Sequence, residues 1–303
     1  MKLNLKRTIK MLVLLIMLFG IVITLGVTSL SKTTLMTDEK LTQLYTRVND
    51  PTKGEVTNKN LPNRIAIIDG VEYDLKYRQS FVFDESVYES KTLSVTHSFY
   101  NDGVYVTYPD NKKGSDDWLI FIRPEKDEQK KNKTLSVEER IKIALEYASK
   151  YINTDGYVLQ KRSIRPIIKG YSNDAFVFTK IINGFESNDT FVVAVTKTGY
   201  ICGFSKQSYG IFNDITVPEI DEELFIKTLN EYAKKIHGEF LYLEIDEERT
   251  EIILDKDGNP MIKVSTCIVR AATEEEKKQT GTDKRYIYNA NIPVYCDDVK
   301  ANK

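Results

Sequence analysis

Histidine and cysteine are scarce in this 303-residue chain, with two of the first and three of the second. Ligands this few nearly exclude a structural zinc site, which draws its four donors from Cys and His. An odd, sparse cysteine count also argues against a disulfide-built secreted framework. A basic excess is missing as well. Lys and Arg number 43 against 44 Asp and Glu, a net charge of −1, so no polybasic field is present to hold nucleic acid. Nor does a Gly-rich phosphate cradle appear. The sequence assigns no catalytic, cofactor-binding or metal-binding residue and implies no cofactor.

What the chain does have is an uncharged apolar run. "MLVLLIMLFGIVITLGVTSL", residues 11–30, lies between Lys10 and Lys32. Its length suits a hydrocarbon core about 30 Å thick, so it is expected to be a transmembrane anchor. Lys2, Lys6, Arg7 and Lys10 precede it with no acid among them, which favours a cytoplasmic tail at 1–10 and everything after Leu30 outside. With those four removed, 39 basic residues face 44 acidic ones, so the exported part is mildly acidic. The alternative is a cleaved signal peptide, since Val27 and Ser29 are small enough for a cleavage site, but such an apolar region usually spans about 7–15 residues. The absence of a Cys near the end of the run argues against a lipoprotein.

Beyond the anchor, residues 31–63 read as a stalk helix and linker. "TDEKLTQLYTRV" places Leu41, Leu44, Tyr45 and Val48 on one stripe, and "NDPTKGEVTNKNLPN" is polar with Pro and Gly. Residues 64–123 are β-rich, with an Asp69-Gly70 hairpin turn and strands at "GVYVTY" and "DWLIFIR". A charged linker, "PEKDEQKKNKT", follows.

A capping box of Ser136 and Glu139 then opens "VEERIKIALEYASKYI", whose Val137, Ile141, Ala144, Leu145, Ala148 and Tyr151 share one face. After it, "FVFTKIINGFESNDTFVVAVTKTGYICGF" (176–204) reads as three strands joined by Asn183-Gly184 and Thr198-Gly199 turns. Phe191, Val193 and Val195 alternate with Val192 and Ala194, a strand apolar on both faces that belongs in the centre of a sheet. The order repeats further on. "DEELFIKTLNEYAKKIHG" is an amphipathic helix stopped by Gly238, and "EFLYLEID", "TEIIL", "MIKVSTCIVR" and "YIYNANIPVYC" follow as strands. The expected fold class is therefore α+β: an N-terminal transmembrane helix, a β-rich membrane-proximal region, and two helix-plus-antiparallel-sheet units at 134–215 and 219–297.

"LSVEERIKIALEYASKYI" followed by the 176–204 stretch resembles the PepSY-like and YcdB-like domains of exported bacterial proteins. In those domains an "eeAikiA" helix precedes strands of the form F-x-F-x-R, then V-x-V-x-x-x-G-x-I. The likeness covers residues 135–206, about a quarter of the chain. Thr198-Gly199-Tyr200-Ile201 is its best piece, whereas Lys180 stands where an Arg is usual, and Ile143 and Ala144 only approximate the helix pattern. The resemblance implies a cystatin-like α+β module without catalytic activity, associated in some proteins with proteases at the cell surface.

The remaining chemistry has ordinary explanations. His97 and His237 fall in different regions, and neither has a nucleophile elbow beside it. His237, at a helix end, suits a cation meeting the negative end of the helix dipole. Cys202, Cys267 and Cys296 sit in strand-like text as small buried residues. In a hairpin around 271–284, Cys267 faces residue 288 and lies roughly 25 Å from Cys296, too far to bridge. "LDKDGNPM" lacks the Glu of a calcium loop and reads as an Asp257-Gly258 turn. Asp110, Asn111, Asp116 and Asp117 could collect a cation in the 108–117 loop, but Lys112 and Lys113 oppose it. The acidic runs 221–223, 247–248 and 274–276 read as a helix start and two solvated loops.

These readings point to a membrane-anchored, extracytoplasmic, non-catalytic module that binds a protein or peptide partner at a bacterial cell surface. The alternatives are a cell-wall or peptide hydrolase with an unidentified acidic site and a structural subunit of an envelope complex. External protease added to intact cells should digest the chain beyond Leu30 while the full-length protein fractionates with membranes. A product in the medium lacking its first thirty residues would instead establish cleavage.

Overall fold

Turn chemistry punctuates the chain. Asp69-Gly70, Asp102-Gly103 and Asn183-Gly184 each hold two consecutive residues at positive φ, for example 52° and 78° at the first pair. That is the two-residue turn whose twist matches the strands it joins, and Asp, Asn and Gly tolerate it best. The computed structural model describes residues 36–49, 55–57, 60–82, 95–110, 114, 117–125, 134–161, 165–166, 174–255 and 257–301. In chain order the elements are α1 (Asp38–Asn49), β1 (Glu55–Thr57), β2 (Arg64–Ile68), β3 (Val71–Val82), β4 (Val95–Asn101), β5 (Val104–Pro109), β6 (Ile120–Ile122) and α2 (Val137–Ala148). There follow β7 (Tyr157–Leu159), β8 (Arg165–Pro166), β9 (Asp174–Ile182), β10 (Phe185–Val195), β11 (Ile201–Ser208) and α3 (Glu222–His237). The chain continues with β12 (Tyr242–Ile245), β13 (Glu251–Leu254), β14 (Pro260–Ala271), α4 (Glu274–Thr280), β15 (Lys284–Tyr295) and a 3-10 turn at Cys296–Val299.

The expected α+β class with separate units is corrected by the strand pairing. Among the described residues all fifteen strands join one hydrogen-bonded network, along the path β1-β3-β4-β5-β6-β11-β10-β13-β14-β12 with the others attached to it. The pairing of β6 with β11 joins the β-rich region to the first expected unit. A parallel pairing of β10 with β13, Glu186 to Glu251 and Ser187 to Ile252, joins the first to the second. The fold is thus mainly β, with four α-helices among the described residues, of which α4 buries no residue. The physical reason is edge satisfaction: each sheet drawn alone would leave a strand edge of unpaired N–H and C=O groups, and merging pairs them. Residues 11–30 lie outside the described residues. No helix among those described is long and apolar enough to cross a membrane.

The core follows from register. Phe176 lies opposite Val193, Val193 opposite Phe204, Phe204 opposite Phe121, Phe121 opposite Val106, Val106 opposite Phe99, and Phe99 opposite Tyr77. Directly paired residues share a face, so seven strands present one continuous apolar row. Helix α2 covers that row. It starts at the expected capping box, with the Glu139 N–H donating to Ser136 Oγ at 3.1 Å and the Ser136 N–H donating to Glu139 Oε2 at 2.8 Å. Ala144 and Ala148 are fully buried in the cluster, and Ile141 and Leu145 are partly buried against it. Val193 is 0 % exposed, as its central position in the sequence pattern requires.

Helix α1 is not a free stalk. Met36, Leu41 and Leu44 are buried, and the helix packs on β15 and α3, elements from the far end of the chain. The Met36 N–H donates to the Tyr232 hydroxyl at 3.0 Å, and Lys235 pairs with Asp38 at 2.7 Å.

Strand β10 carries both halves of the sheet. Its first residues pair with β13 and its later ones, from Thr190, with β11. At the handover its register with β9 slips between Glu186 and Thr190, and Asp189 is fully buried there. The sequence pattern suggests a solvated turn charge at Asp189, and the structure corrects it: the carboxylate accepts from the Tyr157 hydroxyl (2.5 Å) and from the N–H groups of Gly210 (2.7 Å) and Phe212 (3.2 Å). Removing it strands three donors at about 1–3 kcal/mol each. Asp189→Ala should therefore cost about 3 kcal/mol or more in urea unfolding, against less than about 0.5 kcal/mol for Glu222→Ala on the exposed first turn of α3. A loss below about 1 kcal/mol at Asp189 would show that the network does not hold the junction.

Candidate functional site

At one end of the sheet three turns, the end of α2 and a buried cation converge. Arg123 follows the last residue of β6, and its N–H donates to the Cys202 carbonyl at 2.8 Å, which fixes it beside the start of β11. The side chain is only 8 % exposed. A guanidinium this deep needs partners, because an unpaired buried charge is costly. Nε donates to the Ile201 carbonyl at 3.1 Å, and Nη2 to Asp69 Oδ2 at 2.5 Å. The phenol ring of Tyr200 and the ring of Phe121 lie 5.1 and 5.2 Å from the guanidinium carbon, within cation–π range. Nη1 has no hydrogen-bond partner among the described residues.

Asp69 belongs to the β2–β3 turn, and its other oxygen accepts from the Tyr151 hydroxyl at 2.8 Å. Burial alone would raise its pKa, but the Tyr151 hydrogen bond, the Arg123 hydrogen bond and the Arg123 charge together hold it below the ordinary carboxylate value. Asp69 is therefore ionised at neutral pH. Burial raises the Tyr147 phenol pKa strongly, and that of Tyr200 less, so both remain protonated donors. Nearby, the hydroxyl of Thr198 donates to Glu125 and pairs with that of Thr196 at 2.7 Å. Gly199, at φ 90°, makes this turn possible: a Cβ there would stand 2.7 Å from Leu135 of the α2 approach.

Two cavities flank Arg123. One, of about 280 Å³, is lined by Asp69, Arg123, Tyr147, Lys150, Tyr200 and the Thr198-Gly199 turn. The other, of about 380 Å³, includes Glu72, Asp74 and Asp102 together with the same Arg123 and Tyr200. The first carries two cations against one anion, the second three anions against the shared cation.

His97 is where sequence reasoning missed an arrangement. It pairs across strands with Ser80, and its Nδ1 lies 2.7 Å from Ser80 Oγ while Nε2 lies 2.5 Å from Asp110 Oδ1. These are the residue types of a serine triad. Ser80 is nevertheless 0 % exposed, sits within β3, and has the Tyr77 hydroxyl at 2.8 Å as its other partner. The arrangement fastens the end of β5 to the sheet and gives a nucleophile no opening to substrate among the described residues. Nothing in the sequence indicates it until β3, β4 and β5 are set in register.

The other candidates stay apart. Cys202 and Cys296 are buried, and burial pushes each thiol up to about 12, far from a reactive thiolate. Cys267 is half-buried opposite a bulge between Thr266 and Ile268, close to its expected register. Asp255 caps the 255–259 turn by accepting from the N–H groups of Asp257 and Asn259 (2.9 and 2.8 Å), the hairpin expected there. Asp110 is taken up by His97, and Asp117 accepts from the Gly114 N–H; Asn111, Lys112, Lys113 and Asp116 lie outside the described residues. Among the described residues no group of His, Cys, Asp or Glu is arranged to hold a metal. Asp221 caps α3, and Glu276 sits at the start of α4 with its pKa pulled down to about 2 by Arg270 and by the Thr273 N–H. No family model matches the chain, and neither a curated protein nor a solved structure shows significant similarity to it.

His237 corrects the helix-dipole reading. It ends α3, but its ring packs edge-on against Tyr45 of α1 at 5.2 Å, and Nε2 is buried without a partner among the described residues. Burial first, and Arg270 second, lower its pKa, so it is neutral at pH 7. The unfolded chain therefore takes up this proton before the folded one does. The contribution is complete above the unfolded value of about 6.5 and is lost as pH falls through the depressed folded value. Asp298, held by Tyr232 and raised by burial, has the opposite sign, gaining a proton in the folded state as pH falls. Thermal melts should show the wild type losing more stability than His237→Phe between about pH 7 and about pH 5. Parallel losses would refute the assignment.

Proposed function

We propose that the chain is a membrane-anchored, extracytoplasmic, non-catalytic module that binds a protein or peptide partner at the bacterial cell surface. The observation that carries this reading is the sheet end around Arg123, where fixed charges and protonated phenols line two adjoining cavities. Preorganised groups of this kind suit recognition of a polar chain. The likeness of residues 135–206 to non-catalytic PepSY-like modules and the charge-free run at 11–30 support the same reading. A hydrolase is the second reading, and Ser80, His97 and Asp110 are the residues it would require.

The two readings separate when the full-length protein in detergent micelles is incubated with a random peptide library and both retained and cleaved peptides are followed by mass spectrometry. The expected outcome is retention without new termini, unchanged in Ser80→Ala. Cleavage that Ser80→Ala and His97→Ala both abolish, in variants that still melt cooperatively, would replace the binding reading with the hydrolase.

A further inference from the structure

We infer that the paired cavities take the C-terminal end of a peptide, with its terminal carboxylate in the 280 Å³ cavity at Lys150 and Arg123, and a basic side chain in the 380 Å³ cavity among Glu72, Asp74 and Asp102. This rests on the peptide-binding reading above and names the part of the peptide that is read.

Charge counting sets the ligand class. In the smaller cavity Arg123 and Lys150 face Asp69, which leaves one positive charge. One surplus positive charge matches a carboxylate; a phosphate monoester would bring about −1.5 to −2 and leave charge uncompensated. The donors also match. Nη1 of Arg123 is unused among the described residues, the amine of the exposed Lys150 lies 5.4 Å from the centre of the Tyr147 ring, and the Tyr200 hydroxyl is protonated, while that of Tyr147 donates to Tyr151 at 3.5 Å. Charge-assisted bonds from such donors to a carboxylate are among the stronger ones. Asp69 and the Ile201 carbonyl hold the guanidinium in place before a ligand arrives.

In the larger cavity the sign reverses. Glu72 and Asp74 on β3 and Asp102 in the β4–β5 turn are all exposed, and together they leave a surplus of negative charge beside the same arginine. A cationic side chain satisfies it. Because Arg123 and Tyr200 line both cavities, a ligand crossing between them passes these two side chains. At about 30 Å³ per water the smaller cavity holds roughly nine waters' volume, enough for a terminal residue.

A random hexapeptide library made once with free C-termini and once amidated gives the test, with affinity selection on the full-length protein in micelles. The free-acid library should be retained at least about tenfold better, and Lys or Arg should be enriched among its last three positions. Lys150→Glu, at an exposed site, should remove the acid preference; Glu72→Lys with Asp74→Lys should erase the basic enrichment and keep the acid preference. Equal retention of acid and amide overturns this inference while leaving peptide binding intact. Retention of neither library overturns both, and an acid preference without basic enrichment overturns the assignment of the larger cavity.

Discussion

Strand β10 has to be paired twice on the same side, first by β13 and then by β11, and the switch between the two is where the fold is most constrained. The buried polar groups that gather around this switch must find partners. Asp189 supplies them. Its carboxylate collects the Tyr157 hydroxyl and the N–H groups of Gly210 and Phe212, tying the turn after β11 back to the junction. Thr179 and Ser187 add a second tie between β9 and β10, with the Thr179 hydroxyl donating to the Ser187 carbonyl at 2.6 Å. With the junction satisfied, one arm of the sheet runs to β3 and the other to β12 and β15.

The first arm organises the site. The apolar row from Phe176 to Tyr77 stacks aromatic rings under α2, with Phe121 4.9 Å from Trp118 and Phe204 5.8 Å from Tyr147. Packing of this density fixes where each strand ends. Arg123 is the first residue beyond the short β6, so it is carried to Asp69 of the β2–β3 turn and against Tyr200. Asp69 serves two purposes there. It tolerates the positive φ that the turn requires, and it neutralises a guanidinium that otherwise would not stay buried. Arg123 and Tyr200 line both cavities and Lys150 the smaller one, while the Tyr147 hydroxyl donates to that of Tyr151 at 3.5 Å.

The second arm brings the chain's beginning to its end. Helix α1 docks on β15 and α3 through Met36, Leu41 and Leu44, and Tyr232 links the Met36 N–H to Asp298. His237 belongs to that contact as a neutral ring, since desolvation outweighs the attraction of the helix end.

Most local features were legible in the sequence; the exception is the Thr273–Glu276 capping box, which opens helix α4 where the acidic run 274–276 reads as a solvated loop. The Asp69-Gly70 and Asn183-Gly184 turns, the Ser136–Glu139 capping box, the stop of α3 at Gly238 and the strands of 176–204 depend on interactions within a few residues, and each is found where its pattern lies. Val193 was readable as central because period-two alternation reports burial directly. What only the tertiary structure decided is which edge meets which. The partners Arg123 and Asp69, 54 positions apart, and Ser80, His97 and Asp110 become neighbours only through register between strands that the sequence lists without pairing. Asp189 and His237 likewise looked like ordinary surface charges, because their ionisation and partners are set by what covers them. Turns and caps are fixed by short-range backbone geometry; the merged sheet, its buried charges and the two cavities arise from long-range edge pairing and desolvation, which no window of neighbouring residues contains.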